Sequence, residues 1–347
     1  MTPVVNTDQR PVVLVIRLSA LGDVALSAGV VERAAQRHPE VRFVMVTRKQ
    51  FAPFFPSVEV YAPDLKGRHK GVAGIIRLAG DLQRAYSPVA VADLHDVIRT
   101  RLLRMLLHHK GASDVAVIDK CRAMRRRLVK GISKEPLPHV TLRYAAVFTA
   151  LGFDPGPDAS LPLPSPQLRE PLEPVIGIAP FAAHPAKTYP FNMMTKMVEQ
   201  LREARPDVRI FWFSAPGAEA DKIASIAHDD DTIVARLNLP GGLGDEIELM
   251  RKMAFMLTMD SGNMHMAALA GTPAVSVWGP TRPSAGFQGL TSPDDCNITA
   301  PIICSPCSIY GNKYCRKVST KGFIPCLVAI PPHMIVRHIL PMLPPPR

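Results

Sequence analysis

MDSGNMHMAALAGTPAVSVWGPTR, residues 259–282, is the stretch whose reading decides the fold. An apolar run over 254–259 ends abruptly at Asp260-Ser261-Gly262-Asn263, and small apolar residues then recur at helical spacing over 264–270. Gly271 stops that helix, and residues 272–280, TPAVSVWGP, read as a buried strand closed by a Gly-Pro turn. Strand, turn, helix and strand in that order make the βαβ unit of a parallel sheet. The first turn of such a helix presents unpaired backbone N–H groups and the positive end of the helix dipole, so a diphosphate can sit there without a dedicated cation. Asp260 and Ser261 are equally ordinary helix caps, and many strand–helix junctions bind nothing.

The same alternation extends outward from this unit. Before it, strands are expected at 175–179, 208–213 and 231–234, with helices at 192–204, 218–227 and 245–252; after it come a helix at 333–340 and a proline-rich tail. In the first half, residues 11–18, PVVLVIRL, form the continuous aliphatic run of a strand buried on both faces. Helical spacing over 24–37, strands at 41–47, 89–93 and 114–118 and a helix at 94–107 continue the series. Residues 154–174, DPGPDASLPLPSPQLREPLEP, are rich in proline and have no apolar period, which marks a linker. The expected organisation is an N-terminal Rossmann-like domain at 1–160, a linker at 161–174, a second Rossmann-like domain at 175–330, and a closing helix and tail at 331–347. Both domains are doubly wound parallel sheets, whose ligands bind at the carboxyl ends of the strands, here expected to face one cleft.

A chain of 347 residues with 47% hydrophobic content can bury two ordinary cores. No apolar run is long enough to span a bilayer and the N-terminus is polar, so a cytoplasmic protein is expected. Six cysteines in a chain this long are not a disulfide framework. The net charge of +11 is unevenly placed: residues 1–160 carry 24 Lys and Arg against 14 Asp and Glu, a net +10, whereas residues 161–347 carry 17 against 16. Such a bias suits an anionic partner, although a solvated basic face needs none. Arg99, Arg101, Arg104, Lys120, Arg122, Arg125, Arg126, Arg127 and Lys130 form the basic cluster, without the interleaved aromatics that single-stranded nucleic acid needs for stacking. Phosphate or carboxylate groups on an acceptor fit it better than nucleic acid does.

Several residues at strand ends can carry chemistry. Asp23, in SALGDVALS, lies where the first strand gives way to a helix and can take a proton from a hydroxyl nucleophile; a capping Asp is the bland alternative. The surrounding loop has no GxGxxG, which argues against a dinucleotide dehydrogenase. Lys187, in HPAKTYP, stands on the loop after strand 175–179, where a mobile positive charge can meet a phosphate; His184 is a weaker candidate. Glu219, in FSAPGAE, suits ribose hydroxyls or simply complements a helix dipole. His265, one turn into the helix after Ser261, can donate to a phosphate oxygen or be a packed core histidine. Cys304, Cys307, Cys315 and Cys326 suggest a structural zinc knuckle, but their later spacings match no standard finger and four thiols are a comparable reading.

Taken together, RLSALGDVALS, DLHDVIRTRLL, HPAKTYP, FSAPGAE, the segment 260–283 and the CSPC loop resemble the family-nine glycosyltransferases, whose best-known members are ADP-heptose:lipopolysaccharide heptosyltransferases. The resemblance spans most of the chain, and 260–283 is its most specific part. It implies a GT-B architecture, with the acceptor on the N-terminal domain and the nucleotide sugar on the C-terminal one. Asp23 then matches the acceptor-deprotonating base, Lys187 a lysine near the donor phosphates, and Glu219 a nucleoside-binding carboxylate. Asp260, Ser261, Gly262 and His265 match the loop that holds diphosphate and sugar, while Arg122, Arg125 and Arg126 are assigned to the acceptor. The implied reaction is an inverting, metal-independent transfer from an ADP-sugar to an anionic glycolipid at the inner membrane surface, by a monomer. Transfer of another activated sugar to a different surface glycan, or a non-catalytic basic protein on the same scaffold, are the alternatives. Phe191 stands where a larger aromatic is common in the family, and Ser261 where Thr is, which leaves the exact donor open.

Overall fold

All five residues of β1 (Val12–Ile16) are buried, as an uninterrupted apolar run requires when helices cover both faces of a strand. In the computed structural model, which describes residues 8–160, 173–292, 296–313, 315, 317, 318 and 324–346, β1 is the central strand of a five-stranded sheet. Its neighbours are β2 (Arg42–Val46), β3 (Glu59–Tyr61), β4 (Ala90–Asp93) and β5 (Asp114–Val117), in the order β3-β2-β1-β4-β5, all parallel. The order reverses at β1, so the carboxyl ends of β1 and β4 are the topological switch point. The register sets Ile16 beside both Val46 and Asp93, which brings the loops after β1 and β4 together. Helices α1 (Leu21–Arg37), α2 (Gly71–Tyr86) and α3 (Ile98–His109) connect the strands. Leu14, Ile16, Val44, Leu78, Leu82 and Leu103 meet in the core. Helix α5 (Val140–Ala150) packs on α1.

A second sheet of six parallel strands contains β6 (Val175–Ala179), β7 (Arg209–Trp212), β8 (Thr232–Ile233), β9 (Met256–Met259), β10 (Ala274–Trp278) and β11 (Asn297–Thr299). Their order is β11-β10-β9-β6-β7-β8, so β6 and β9 flank the switch point here. Gly177 is needed at that junction, because a Cβ there would lie 2.1 Å from the Met256 sulfur. Around this sheet run α4 (Arg122–Val129), α6 (Phe191–Ala204), α7 (Ala218–Ala224), α8 (Leu243–Arg251), α9 (Gly262–Ala270), α10 (Pro325–Val328) and α11 (Pro332–Ile339). Trp212, Met194, Leu257, Val277 and Ile339 belong to the core.

The two expected parallel α/β domains are therefore present, but contacts divide the chain differently from a single cut. One compact unit is Met1–Lys120 with Val140–Leu161, and the other is Cys121–His139 with Pro162–Arg347. Segment 121–139 joins the second unit because Leu128 and Leu137 pack with Ala285 in a small apolar cluster, and the Leu137 N–H donates to the Ser284 carbonyl. The charge is consequently shared: 18 Lys and Arg against 13 Asp and Glu in the first unit, 23 against 17 in the second. The expectation of a basic surface confined to the N-terminal half is corrected by that helix. Of the expected linker 161–174, residues 161–172 lie outside the described residues. No helix among the described residues is long and apolar enough to cross a membrane.

Candidate functional site

At the end of β9 the chain turns directly into α9. Ser261 occupies the N-cap position with extended backbone, yet among the described residues it makes no side-chain capping bond and its buried Oγ has no partner. Asp260 does not cap either: its Oδ2 lies 3.1 Å from Lys187 Nζ and accepts the Thr281 hydroxyl at 2.6 Å. The bland reading of these two residues as ordinary caps is thereby set aside. One turn on, His265 is 5% exposed and its buried Nδ1 has no partner among the described residues. Burial pushes this imidazole down to about 3, reinforced by the positive fields of His139 and Lys187, so it is neutral. Leaving a buried polar atom unsatisfied costs about 1–3 kcal/mol, so orphaned atoms at a helix N-terminus mark a place where a ligand completes the bonding.

Lys187 ends a short 3-10 turn, Pro185–Lys187, on the loop after β6. Its stem lies against Gly311, where an added Cβ would come within 2.3 Å of Lys187 Cγ and 2.5 Å of Cδ. Gly311 has φ +73, so it serves both as a turn and as a flat wall beside the lysine. Nothing local in the sequence ties this glycine to a residue more than a hundred positions away. Ser214, just past the carboxyl end of β7, carries another buried hydroxyl that has no partner among the described residues, and no local pattern singles it out. Glu219 stands in the first turn of α7, half-buried, and its Oε2 accepts the Ala215 N–H at 2.9 Å. His184 lines a cavity of about 600 Å³ with Thr188, Asn312, Lys313 and Leu327.

In the first unit, Asp23 falls in the first turn of α1, which begins three residues earlier than the spacing predicts. Arg17 Nη2 lies 2.6 Å from Asp23 Oδ2, and that oxygen also faces the Ala20 N–H at 3.4 Å. Both contacts fall on one oxygen of the carboxylate, Oδ2, so part of the capping role is real. Arg17 is itself buried: it donates to the Leu94 carbonyl at 2.6 Å and lies 5.8 Å from the centre of the Tyr144 ring, whose hydroxyl donates to the Asp23 carbonyl. The Asp23 carboxylate is thus held by a framework spanning β1, β4 and α5.

The loop after β4 is tied down by Asp93. This carboxylate is wholly buried, accepts the His95 and Asp96 N–H groups at 2.9 Å, and pairs with Arg104 at 2.5 Å. Asp96, at φ +46, accepts a hydrogen bond from Lys120 on its carbonyl, and its side chain holds Arg101 at 2.9 Å. His95 Nδ1 accepts the Leu18 N–H, which leaves its proton on Nε2. Burial, with Arg17 beside it, pushes His95 down to about 3. Ser19, His95, Asp96, Ile98, Arg99 and Arg101 line a cavity of about 590 Å³ at this strand end. Arg101 and Arg104 are engaged with carboxylates, whereas Arg99 forms no ion pair among the described residues.

The basic helix α4 sits with the second unit. Arg125 Nη1 donates to the Tyr310 hydroxyl at 2.5 Å, and its guanidinium stacks within 5.3–5.7 Å of the Tyr310 and Phe287 rings. Arg125 therefore anchors the helix, while Arg122 and Arg126 are exposed. The assignment of these arginines to an N-terminal acceptor domain is corrected by their contacts. Cys304, Cys307, Cys315 and Cys326 are all free thiols, and burial holds Cys307 and Cys326 in the neutral form, Cys326 up at about 11. Among the described residues no group of three or more His, Cys, Asp or Glu is placed to hold a metal ion.

Residues 119–316 match the model of glycosyltransferase family 9 (heptosyltransferase). The lipopolysaccharide heptosyltransferase 1 of Pseudomonas aeruginosa is 24% identical over 321 residues, with 85% of each chain covered. The crystal structure of a family 9 glycosyltransferase from Veillonella parvula superposes with a TM-score of 0.71 at 17% identity, covering 96% of this chain and 97% of that one. An E. coli heptosyltransferase bound to ADP-2-deoxy-2-fluoro-heptose superposes with a TM-score of 0.64 at 18% identity, covering 94% and 98%.

Proposed function

The chain belongs to glycosyltransferase family 9, and from that premise we propose that it transfers heptose from ADP-heptose to an anionic lipopolysaccharide-core acceptor at the inner membrane surface, with inversion. The observation that carries the donor half is the pair of buried atoms near the start of α9, Ser261 Oγ and His265 Nδ1, that have no partner among the described residues, beside the Lys187–Asp260 pair. A diphosphate at this helix N-terminus satisfies both and meets the Gly262 backbone N–H and the Lys187 charge. Neutral His265 serves as a hydrogen-bond partner without needing to carry charge in a buried site. Glu219, already fixed through the Ala215 N–H, offers its other oxygen to ribose.

Asp23 is assigned as the base. Arg17 and the Ala20 N–H occupy Oδ2, so Oδ1 accepts the proton of the acceptor hydroxyl. The hydroxyl oxygen bonds to the anomeric carbon from the face opposite the phosphate. The sugar–phosphate C–O bond breaks with its electron pair going to the β-phosphate oxygen of ADP. Lys187 and the α9 N-terminus stabilise the charge that develops there, the role a metal ion fills in other transferases. Arg99, which lines the first-unit cavity, is assigned to the acidic groups of the acceptor.

Asp23→Asn tests the assignment. Turnover of ADP-heptose should fall by at least about a thousandfold, the scale of a lost general base and its alignment, while ADP still raises the melting temperature as in the wild type. A variant retaining wild-type rates removes Asp23 from the mechanism. Absence of any thermal shift with ADP or ADP-sugars removes the donor reading, since ligand at a hundred times Kd stabilises by about 2.7 kcal/mol.

A further inference from the structure

Four large apolar side chains stand exposed on two neighbouring helices of the first unit: Val72 (67% exposed) and Ile76 (49%) on α2, Ile98 (87%) and Met105 (59%) on α3. The opposite faces of the same helices bury Ile75, Leu78, Leu82, Leu103 and Leu107, so the exposed residues form a second apolar stripe and not the edge of the core. Val72 and Ile76 are one turn apart; Ile98 and Met105 are two turns apart, with half-buried Leu102 between them. Both helices belong to right-handed crossovers running in the same direction, β3 to β4 and β4 to β5, so they lie on one face of the sheet, where they pack together.

Cations surround the stripe. Lys70, Arg77, Arg99 and Lys110 are exposed along these two helices and their ends. Asp81, on α2, is taken by Arg68, His69 and Arg84, and Asp96, ahead of α3, by Arg101 and Arg104. Helices in parallel βα units start at the carboxyl ends of the strands, so Val72 and Ile98 open at the same sheet end as the 590 Å³ cavity, which Ile98 itself lines. We infer that this α2–α3 face docks the first unit onto an anionic phospholipid surface. Its apolar side chains enter the boundary between head groups and acyl chains, and the cations meet lipid phosphates. A second copy of this chain, basic overall at +11, would bring like charges together there. The inference rests on the reading of the acceptor as a membrane-anchored glycolipid, since docking at the cavity mouth presents the head group to Asp23 without extracting the lipid.

The test is sedimentation of the full-length protein with phosphatidylglycerol-containing vesicles and with vesicles of phosphatidylcholine alone, without sugar substrates. The wild type should pellet with the former, release in high salt and stay in solution with the latter. The variant Val72→Ser, Ile76→Ser, Met105→Ser should bind at least about tenfold more weakly while keeping its melting temperature and its thermal shift with ADP. A wild type that ignores anionic vesicles, a triple variant that binds as tightly as wild type, or a wild-type dimer that the triple variant dissolves would each overturn it. Turnover of the wild type on a lipid-free acceptor fragment separates the two readings: a wild type that turns over but ignores anionic vesicles sinks docking alone, whereas a wild type that binds vesicles with no transferase activity sinks the function and leaves docking standing.

Discussion

Removing the Lys187 ammonium should expose a conflict that the wild type resolves internally. Asp260 is about nine-tenths buried, and its Oδ2 is shared between Lys187 at 3.1 Å and Thr281 at 2.6 Å. In Lys187→Ala the carboxylate keeps only the hydroxyl, and an incoming diphosphate meets a negative charge with no cation beside it. A hydrogen bond to a charged group contributes about 1.5–3 kcal/mol, so losing the lysine alone should raise the Kd for ADP roughly 10- to 100-fold. Asp260→Asn keeps the shape and still accepts the Thr281 hydroxyl, but it removes the charge. Asp260→Asn alone should leave ADP affinity unchanged and the double variant Lys187→Ala, Asp260→Asn should recover about tenfold over Lys187→Ala, which together make a coupling near 1.4 kcal/mol. Isothermal titration with ADP across the four proteins of this cycle reads it directly. Additive losses, or a double variant binding more weakly than Lys187→Ala, would refute the argument that Asp260 opposes the donor when unpaired.

Three further outcomes follow from other contacts. Arg104→Met leaves the fully buried Asp93 carboxylate without its cation, and should cost about 3–5 kcal/mol of stability in denaturant melts; a loss under 1 kcal/mol would show that the two backbone N–H groups suffice. Gly311→Ala puts a Cβ into the Lys187 stem and a side chain at φ +73, so the KM for the donor should rise about tenfold with roughly 1–2 kcal/mol lost from stability; unchanged KM would mean that Lys187 reaches the donor from another path. His95 and His265 have folded values near 3 against 6.5 unfolded, so the unfolded chain binds more protons between these limits. Their contribution is intact above about pH 6.5 and falls as pH drops towards 3, by up to about 1.4 kcal/mol per unit for each histidine. Thermal melts from pH 7 to 4.5 should show that slope, and His265→Asn should flatten it; an identical slope in the variant would locate the pH sensitivity elsewhere.

Much of this could be read from the chain, because aliphatic runs interrupted by helical spacing leave little choice but buried parallel strands. β1, β4, β6, β9 and β10 fall within the expected segments, Asp23, Lys187 and Asp260 lie on segments that follow strand ends, and His265 stands one turn into α9, as anticipated. The weaker elements escaped for physical reasons. β3 and β11 have three residues each, and α2 carries Gly71, Gly74 and Gly80, which blur its helical signal. Local sequence likewise left Asp260 and Ser261 undecided between caps and ligand contacts, since the residue types are identical in both cases.

What the sequence alone determined was the class of fold, the order of the strands along the chain and the strand-end loops that bear reactive groups, all consequences of periodicity within some twenty residues. Tertiary structure decided the rest, because it depends on pairs far apart in the chain. Lys187 meets Asp260 and lies on Gly311, Arg17 grips Asp23 beneath Tyr144, and Leu128 with Leu137 draws helix α4 and its arginines to the second unit. No local pattern encodes those pairings; only the packing of the finished sheets brings such groups close enough for charge and shape to act.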